Sequence, residues 1–184
     1  MDTLGAVETP GIASGVWIAD AMMKAADVEL LRASTICGGR YLIFVAGDRR
    51  AVETAVEAAA GSGRRITARQ VVSNISPMVV DALRRSAPAS PRDALGVVES
   101  RVVADAVQAA DAAVKRSDVR ILRFVSGQGI MGKAYFVLGG EVAAVREAVK
   151  ASSDVLGERM VESVVIPNPD GSVVRQLTGS MRQS

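Results

Sequence analysis

The chain's one cysteine, Cys37, stands in the run Ser34-Thr35-Ile36-Cys37-Gly38-Gly39-Arg40, between two apolar stretches. Two successive glycines can take the positive φ values of a tight hairpin turn, so the run reads as a hairpin tip holding a thiol where two strands meet solvent. One thiol can neither chelate a metal nor close an internal disulfide. Metal chemistry at Cys37 therefore needs further copies of it, brought together by symmetry. The sequence contains no histidine, which removes the commonest general base, proton switch and metal ligand at once. Most hydrolase and zinc-enzyme chemistries lapse with it.

A second glycine-rich run, Gly127-Gln128-Gly129-Ile130-Met131-Gly132-Lys133-Ala134, has the spacing of a dinucleotide fingerprint and most of that of a Walker A loop. Both motifs need a helix N-terminus directly after the glycines to receive phosphate, but the residues that follow, AYFVLGG, read as a strand. Ala134 also stands where a serine or threonine would ligate magnesium. A hairpin loop is the better reading. The carboxylates Glu8 and Glu99, Asp20 and Asp111, with Lys24 and Lys115, recur at matching places along the chain. They are spread over equivalent elements instead of converging on a pocket, so they mark the fold before they mark catalysis. For the two lysines, a solvated helix face is the plain reading.

The elements that position these residues follow from periodicity. LGAVET is a short strand closed by Pro10 and Gly11. The next segment places Ile12, Val16, Ala19, Met22 and Met23 on one helical face and ends at Asp27. Met22, Met23 and Trp17 are read as core or subunit-contact residues. VELLRAST and YLIFVAG form strands on either side of the cysteine turn. Asp48 is placed to cap a helix with Ala51, Val52, Ala55, Val56 and Ala59 on its inner face, stopping near Gly61. RQVVSNI is a weaker strand, Ser76-Pro77 opens a short helix through Leu83, and residues 86–92, SAPASPR, have the composition of a linker.

Beyond that linker the chain begins again. LGAVET is answered by LGVVES, ADAMMKAADVELLR by ADAAVKRSDVRILR, and GRYLIFVAGD by GKAYFVLGGE. Arg32 and Arg123 are 91 residues apart, whereas Gly39 and Gly132 are 93 apart, so the second copy carries two extra residues, both in its hairpin tip. The scaffold repeats and the tips differ. Each copy reads strand, helix, strand, strand, helix, strand, the split β-α-β pattern of ferredoxin-like α/β (α+β) folds, with a four-stranded antiparallel sheet. The expected domains are residues 1–90 and 93–184.

Composition narrows the function further. About half of the residues (49%) are apolar, mostly alanine and valine, and the aromatics are three phenylalanines, two tyrosines and one tryptophan. Thin, close-packed layers suit this better than a roomy ligand cavity. The net charge is +2, with basic and acidic residues interleaved and few aromatics among them, which disfavours nucleic acid as a partner. No run approaches a membrane span and the N-terminal residues lack a signal-peptide pattern, so the expectation is a soluble cytoplasmic protein without a membrane partner. A lone cysteine agrees with a reducing compartment.

The doubled LGAVET…ADAMMKAADV and LGVVES…ADAAVKRSDV, with GGRYLIFVAGD, GKAYFVLGGE and the closing VVIPNPD, resembles the tandem-domain shell proteins of bacterial microcompartments over essentially the whole length. The single cysteine in STICGGR is most similar to the propanediol-utilisation type. The resemblance implies a non-enzymatic shell component: a flat, pseudo-hexameric homotrimer that tiles with other shell proteins into facets, with a central pore for metabolites. Thr35, Ile36, Cys37, Gly38 and Gly39 would line that pore, alternating with Ser126, Gly127, Gln128, Gly129, Ile130 and Met131. Lys24 and Lys115 match the edge lysine used in tiling. The family's basic residue between the two closing prolines is here Asn168, which puts an edge contact through that position in doubt.

Two rival functions accompany this reading. In one, a shell protein of the same fold conducts electrons through a 4Fe-4S cluster on the trimer axis, held by one Cys37 per subunit and serving an electron-transfer partner or encapsulated enzymes. Such a cluster normally takes four thiolates, so three would leave one iron open. Against it, a small half-buried cysteine beside a pore needs no such role. In the other rival, the chain is a ferredoxin-like small-molecule sensor or enzyme with a buried polar pocket. The longer second tip is also expected to be the more mobile of the two.

Overall fold

A computed structural model describes residues 2–84 and 93–178. The first repeat runs β1 (Thr3–Thr9), α1 (Ile12–Ala25), β2 (Glu29–Ile36), β3 (Arg40–Gly47), α2 (Arg49–Ala60), β4 (Ala68–Ser73) and α3 (Pro77–Arg84). The second runs β5 (Ala94–Ser100), α4 (Val103–Arg116), β6 (Arg120–Ser126), β7 (Ala134–Gly140), α5 (Val142–Leu156), β8 (Met160–Pro167) and α6 (Gly171–Thr178). The two sheets have the orders β2-β3-β1-β4 and β6-β7-β5-β8, antiparallel at every pairing. This is the expected ferredoxin-like order in both copies. One irregularity repeats: the register shifts between Leu30 and Arg32 in one copy and between Ile121 and Arg123 in the other, a one-residue bulge on the strand that leads to the tip. The linker expected over residues 86–92 lies outside the described residues.

The chain divides into two compact units, Met1–Ile75 with Val102–Gln108 and Gly127–Lys133, and Ser76–Arg101 with Ala109–Ser126 and Ala134–Ser184. In the first, β1 is buried along its whole length between β3 and β4. Val7, Ile18, Met22, Ile43, Val45, Val52 and Val56 form the core beneath α1 and α2, each contributing about 1.5–3 kcal/mol through burial. The inner face of α2 is as expected, and the Asp48 carboxylate accepts the Ala51 N–H at 3.0 Å as an N-cap.

Helix α1 differs from its sequence reading. Its buried residues are Gly15, Ile18, Ala19 and Met22, whereas Ile12, Val16 and Met23 are exposed, as is Trp17. Gly15 fixes the rotation. A Cβ there would lie 2.4 Å from Tyr41 Cβ, so only glycine lets α1 seat on β3. Trp17 carries the Arg64 guanidinium over its ring at 4.8 Å, a cation–π contact at the surface.

In the second unit, Leu95, Leu122, Val137 and Val174 form a core cluster. Phe124 and Phe136 are directly opposed on β6 and β7, with centroids 5.9 Å apart. Helix α3, from the first repeat, packs against β6 of the second. Asn168 has φ 45° and donates its N–H to Asp93 O at 2.8 Å, and Asn74 takes φ 52° just after β4. Asparagine tolerates the left-handed region that these turns require, which gives a local reason for Asn168 in the closing motif.

Candidate functional site

Antiparallel pairing of Ile36 with Arg40 ends the β2-β3 ladder, and Cys37–Gly39 makes a single 3-10 turn across the gap. Gly38 and Gly39 have φ of 79° and 71°, the conformation expected of them. Ile36 is buried, Cys37 is half-buried, and Thr35, Gly38 and Gly39 are exposed. In the second tip, Ser126 pairs with Ala134. Between them Gly127–Lys133 closes on itself through Gly127 N–H to Lys133 O at 2.9 Å and Lys133 N–H to Ile130 O at 3.1 Å. Gln128, Gly129 and Met131 are exposed, the last with 82% of its surface free. Ala134 opens strand β7, so no helix follows the glycines and the phosphate-loop reading has no structural basis.

The sequence treats these tips as separate features, yet within the first compact unit they touch. The Cys37 N–H donates to Gly127 O at 3.0 Å, and the Gly129 N–H donates to Cys37 Sγ at 3.1 Å. Ile36 fills the space where a Gly127 Cβ would stand, 2.6 Å away. Arg40 adds a third contact: its Nη2 donates to Met131 O at 3.2 Å while Nη1 donates to Glu8 Oε1 at 2.5 Å. Glu8 is wholly buried on β1, and its Oε2 accepts the Val103 N–H at 3.0 Å. Burial pushes the Glu8 carboxyl above the usual glutamate range, with Arg40 and the Val103 N–H pulling the other way.

Recurrence of Glu8 and Glu99 signalled a place in the fold, but not this one. The sequence signal that could have revealed it is the matched acid and base, Glu8 with Arg40 and Glu99 with Lys133, at the end of the first strand and the start of the third. Antiparallel pairing brings those two strand ends together.

The two lysines are not equivalent. Lys24 lies exposed at the end of α1 and pairs with Asp20 at 2.6 Å. Lys115 pairs with Asp111 at 2.5 Å, but Asp111 is only 6% exposed and its other oxygen accepts the Ser76 N–H at 2.7 Å. Both lysines are exposed, but on α4 the buried acid beside Lys115 also fastens the chain entering α3. Among the described residues no group of three or more Cys, Asp or Glu side chains could hold a metal. No described helix is long and apolar enough to cross a membrane.

Known proteins place this geometry. The BMC domain matches twice, over residues 3–79 and 94–169. The chain is 38% identical to the bacterial microcompartment shell protein PduT of Citrobacter freundii, over 95% of this chain and 96% of that protein. Carboxysome shell protein CsoS1B of Halothiobacillus neapolitanus is 36% identical over 49% of this chain and 82% of its own length, as expected if one repeat here corresponds to one such protein. The crystal structure of a microcompartments protein from Desulfitobacterium hafniense DCB superposes with a TM-score of 0.85 at 36% identity, covering 95% of this chain and 99% of that one. The fold is thus that of a tandem-domain shell protein. This chain belongs to the BMC domain family of bacterial microcompartment shell proteins.

Proposed function

We propose that three copies of this chain form a flat pseudo-hexameric ring that tiles with other shell proteins through Lys24 and Lys115, and that the two tips border a central pore for metabolites. The supporting observation is the hydrogen-bonded pairing of tips that differ in sequence and length while the scaffolds carrying them agree. Three chains then supply six tips around one axis, a closed ring of two alternating kinds. The role is structural, with no catalytic step. Sedimentation equilibrium should give three times the 19.2 kDa chain mass. A compact monomer or dimer that binds a nucleotide would instead favour the sensor or enzyme reading.

One observation favours a second reading, in which the ring also passes electrons. Cys37 Sγ already accepts a backbone N–H from Gly129, and hydrogen bonds of this kind to sulfur tune iron-sulfur centres. A single chain offers one thiol, so a 4Fe-4S cluster would be held by the Cys37 residues of three chains and would supply one-electron transfer across the shell. The Gly129 N–H would orient the sulfur, and the exposed Gly38 and Gly39 would leave space beside it. Anaerobic reconstitution with iron and sulfide separates the readings. A cluster spectrum in the parent that is lost in Cys37→Ser supports electron transfer, and equal iron content in both with no spectrum leaves a metabolite pore.

A further inference from the structure

The Gly127–Lys133 loop has its own closing bonds, but Met131 at its apex has φ 55°, a left-handed conformation rare outside glycine. Such a backbone persists where its surroundings over-determine it. Here the surrounding group is Arg40. Its guanidinium bonds Met131 O, and it fills the space beside Gly132 so fully that a Cβ there would meet Nη2 at 1.8 Å. Gly132, with φ 77°, is therefore required twice over. The guanidinium is itself immobilised, because Nη1 is bound to the wholly buried Glu8, which the Val103 N–H fixes from the other side.

We propose that Arg40 is a positioning residue for the second tip: one arm of its fork is anchored on Glu8 in the sheet, and the other sets the conformation of the loop apex. The role depends on the planar fork, whose two separate donors serve both partners at once. Lysine replaces the fork's two separate donor nitrogens with one. The equivalent position of the second repeat is Lys133, which lacks the planar fork. The consequence for permeation rests on the pore reading above. If the loop borders the aperture, Arg40 sets how wide the aperture stands, and the exposed Met131 side chain moves with it.

Hydrogen–deuterium exchange on the assembled full-length protein tests the latch without reference to any pore. Arg40→Lys keeps the charge beside Glu8 but should raise exchange at Gly129 to Lys133 about tenfold, the scale of losing one hydrogen bond to a charged group. Exchange in β1, β3 and α5 should stay as in the parent. Arg40→Met, which removes both donors of the fork, should produce the same local rise. Unchanged loop exchange in either variant overturns the proposal, as does a rise spread evenly over β1 and β3, which marks general loosening. Small-solute exchange across reconstituted shells forms a separate arm. A looser loop with unchanged solute flux retains the latch and contradicts the pore reading, whereas a tight loop in Arg40→Lys contradicts the latch whatever the flux.

Discussion

Glu8 illustrates how a single buried residue can tie the architecture together and make its stability depend on pH. Its carboxyl is raised above the ordinary glutamate range chiefly by burial, and the attraction of Arg40 does not fully offset this. The folded protein therefore holds the Glu8 proton at a pH where the unfolded chain has already lost it. The folded state binds more protons in that window, so the stability contributed by this group falls as pH rises from the ordinary value through the raised one. Glu8→Gln has one acceptor where Glu8 has two, so its amide nitrogen faces either Arg40 Nη1 or the Val103 N–H, and it should be about 1–3 kcal/mol less stable than the parent at neutral pH. It should also lose the parent's gain on acidification. Denaturant melts of both proteins at neutral and mildly acidic pH provide the check. A Glu8→Gln protein that gains as much as the parent on acidification, or a parent that gains nothing, would contradict this account.

At the scale of elements, the repeats make a controlled comparison. Asp48 caps α2 through the Ala51 N–H, while Glu141 before α5 makes no such side-chain bond. Asp48→Ala should cost about 1 kcal/mol, and Glu141→Ala should stay within about 0.5 kcal/mol of the parent. Equal losses in thermal melts would mean that capping is not the difference between the two helices. Strand and helix positions were legible in the sequence because each pattern occurs twice and the copies constrain each other. The inner face of α1 was not. Its apolar residues run almost all the way round, and the orientation is decided by the contact of Gly15 with Tyr41, which periodicity cannot see. Nor could the meeting of the tips be read, since Cys37 and Gly129 are far apart in sequence and neither loop has a periodic pattern. The tip residues themselves were legible as turns, from their glycines.

On the scale of the whole molecule, assembly asks different things of the two lysines. The exposed Lys24–Asp20 pair contributes at most about 1 kcal/mol to folding. Asp111 keeps its Ser76 N–H bond when Lys115 is removed. Replacing Lys24 and Lys115 together by alanine should therefore leave a folded trimer by sedimentation while sheet formation falls, because the two ion pairs lost within the chain are small beside the inter-ring contacts that the proposed tiling gives these lysines. Sheets that form as readily as in the parent would remove both lysines from the tiling edge. The central claim is the ring itself, and electron microscopy of the purified protein at high concentration tests it most directly. The account predicts flat threefold particles of six similar wedges, joined edge to edge, with the Cys37 and Met131 tips around the central opening. Particles that are monomeric or dimeric, or rings that carry these tips on their outer rim, would contradict it.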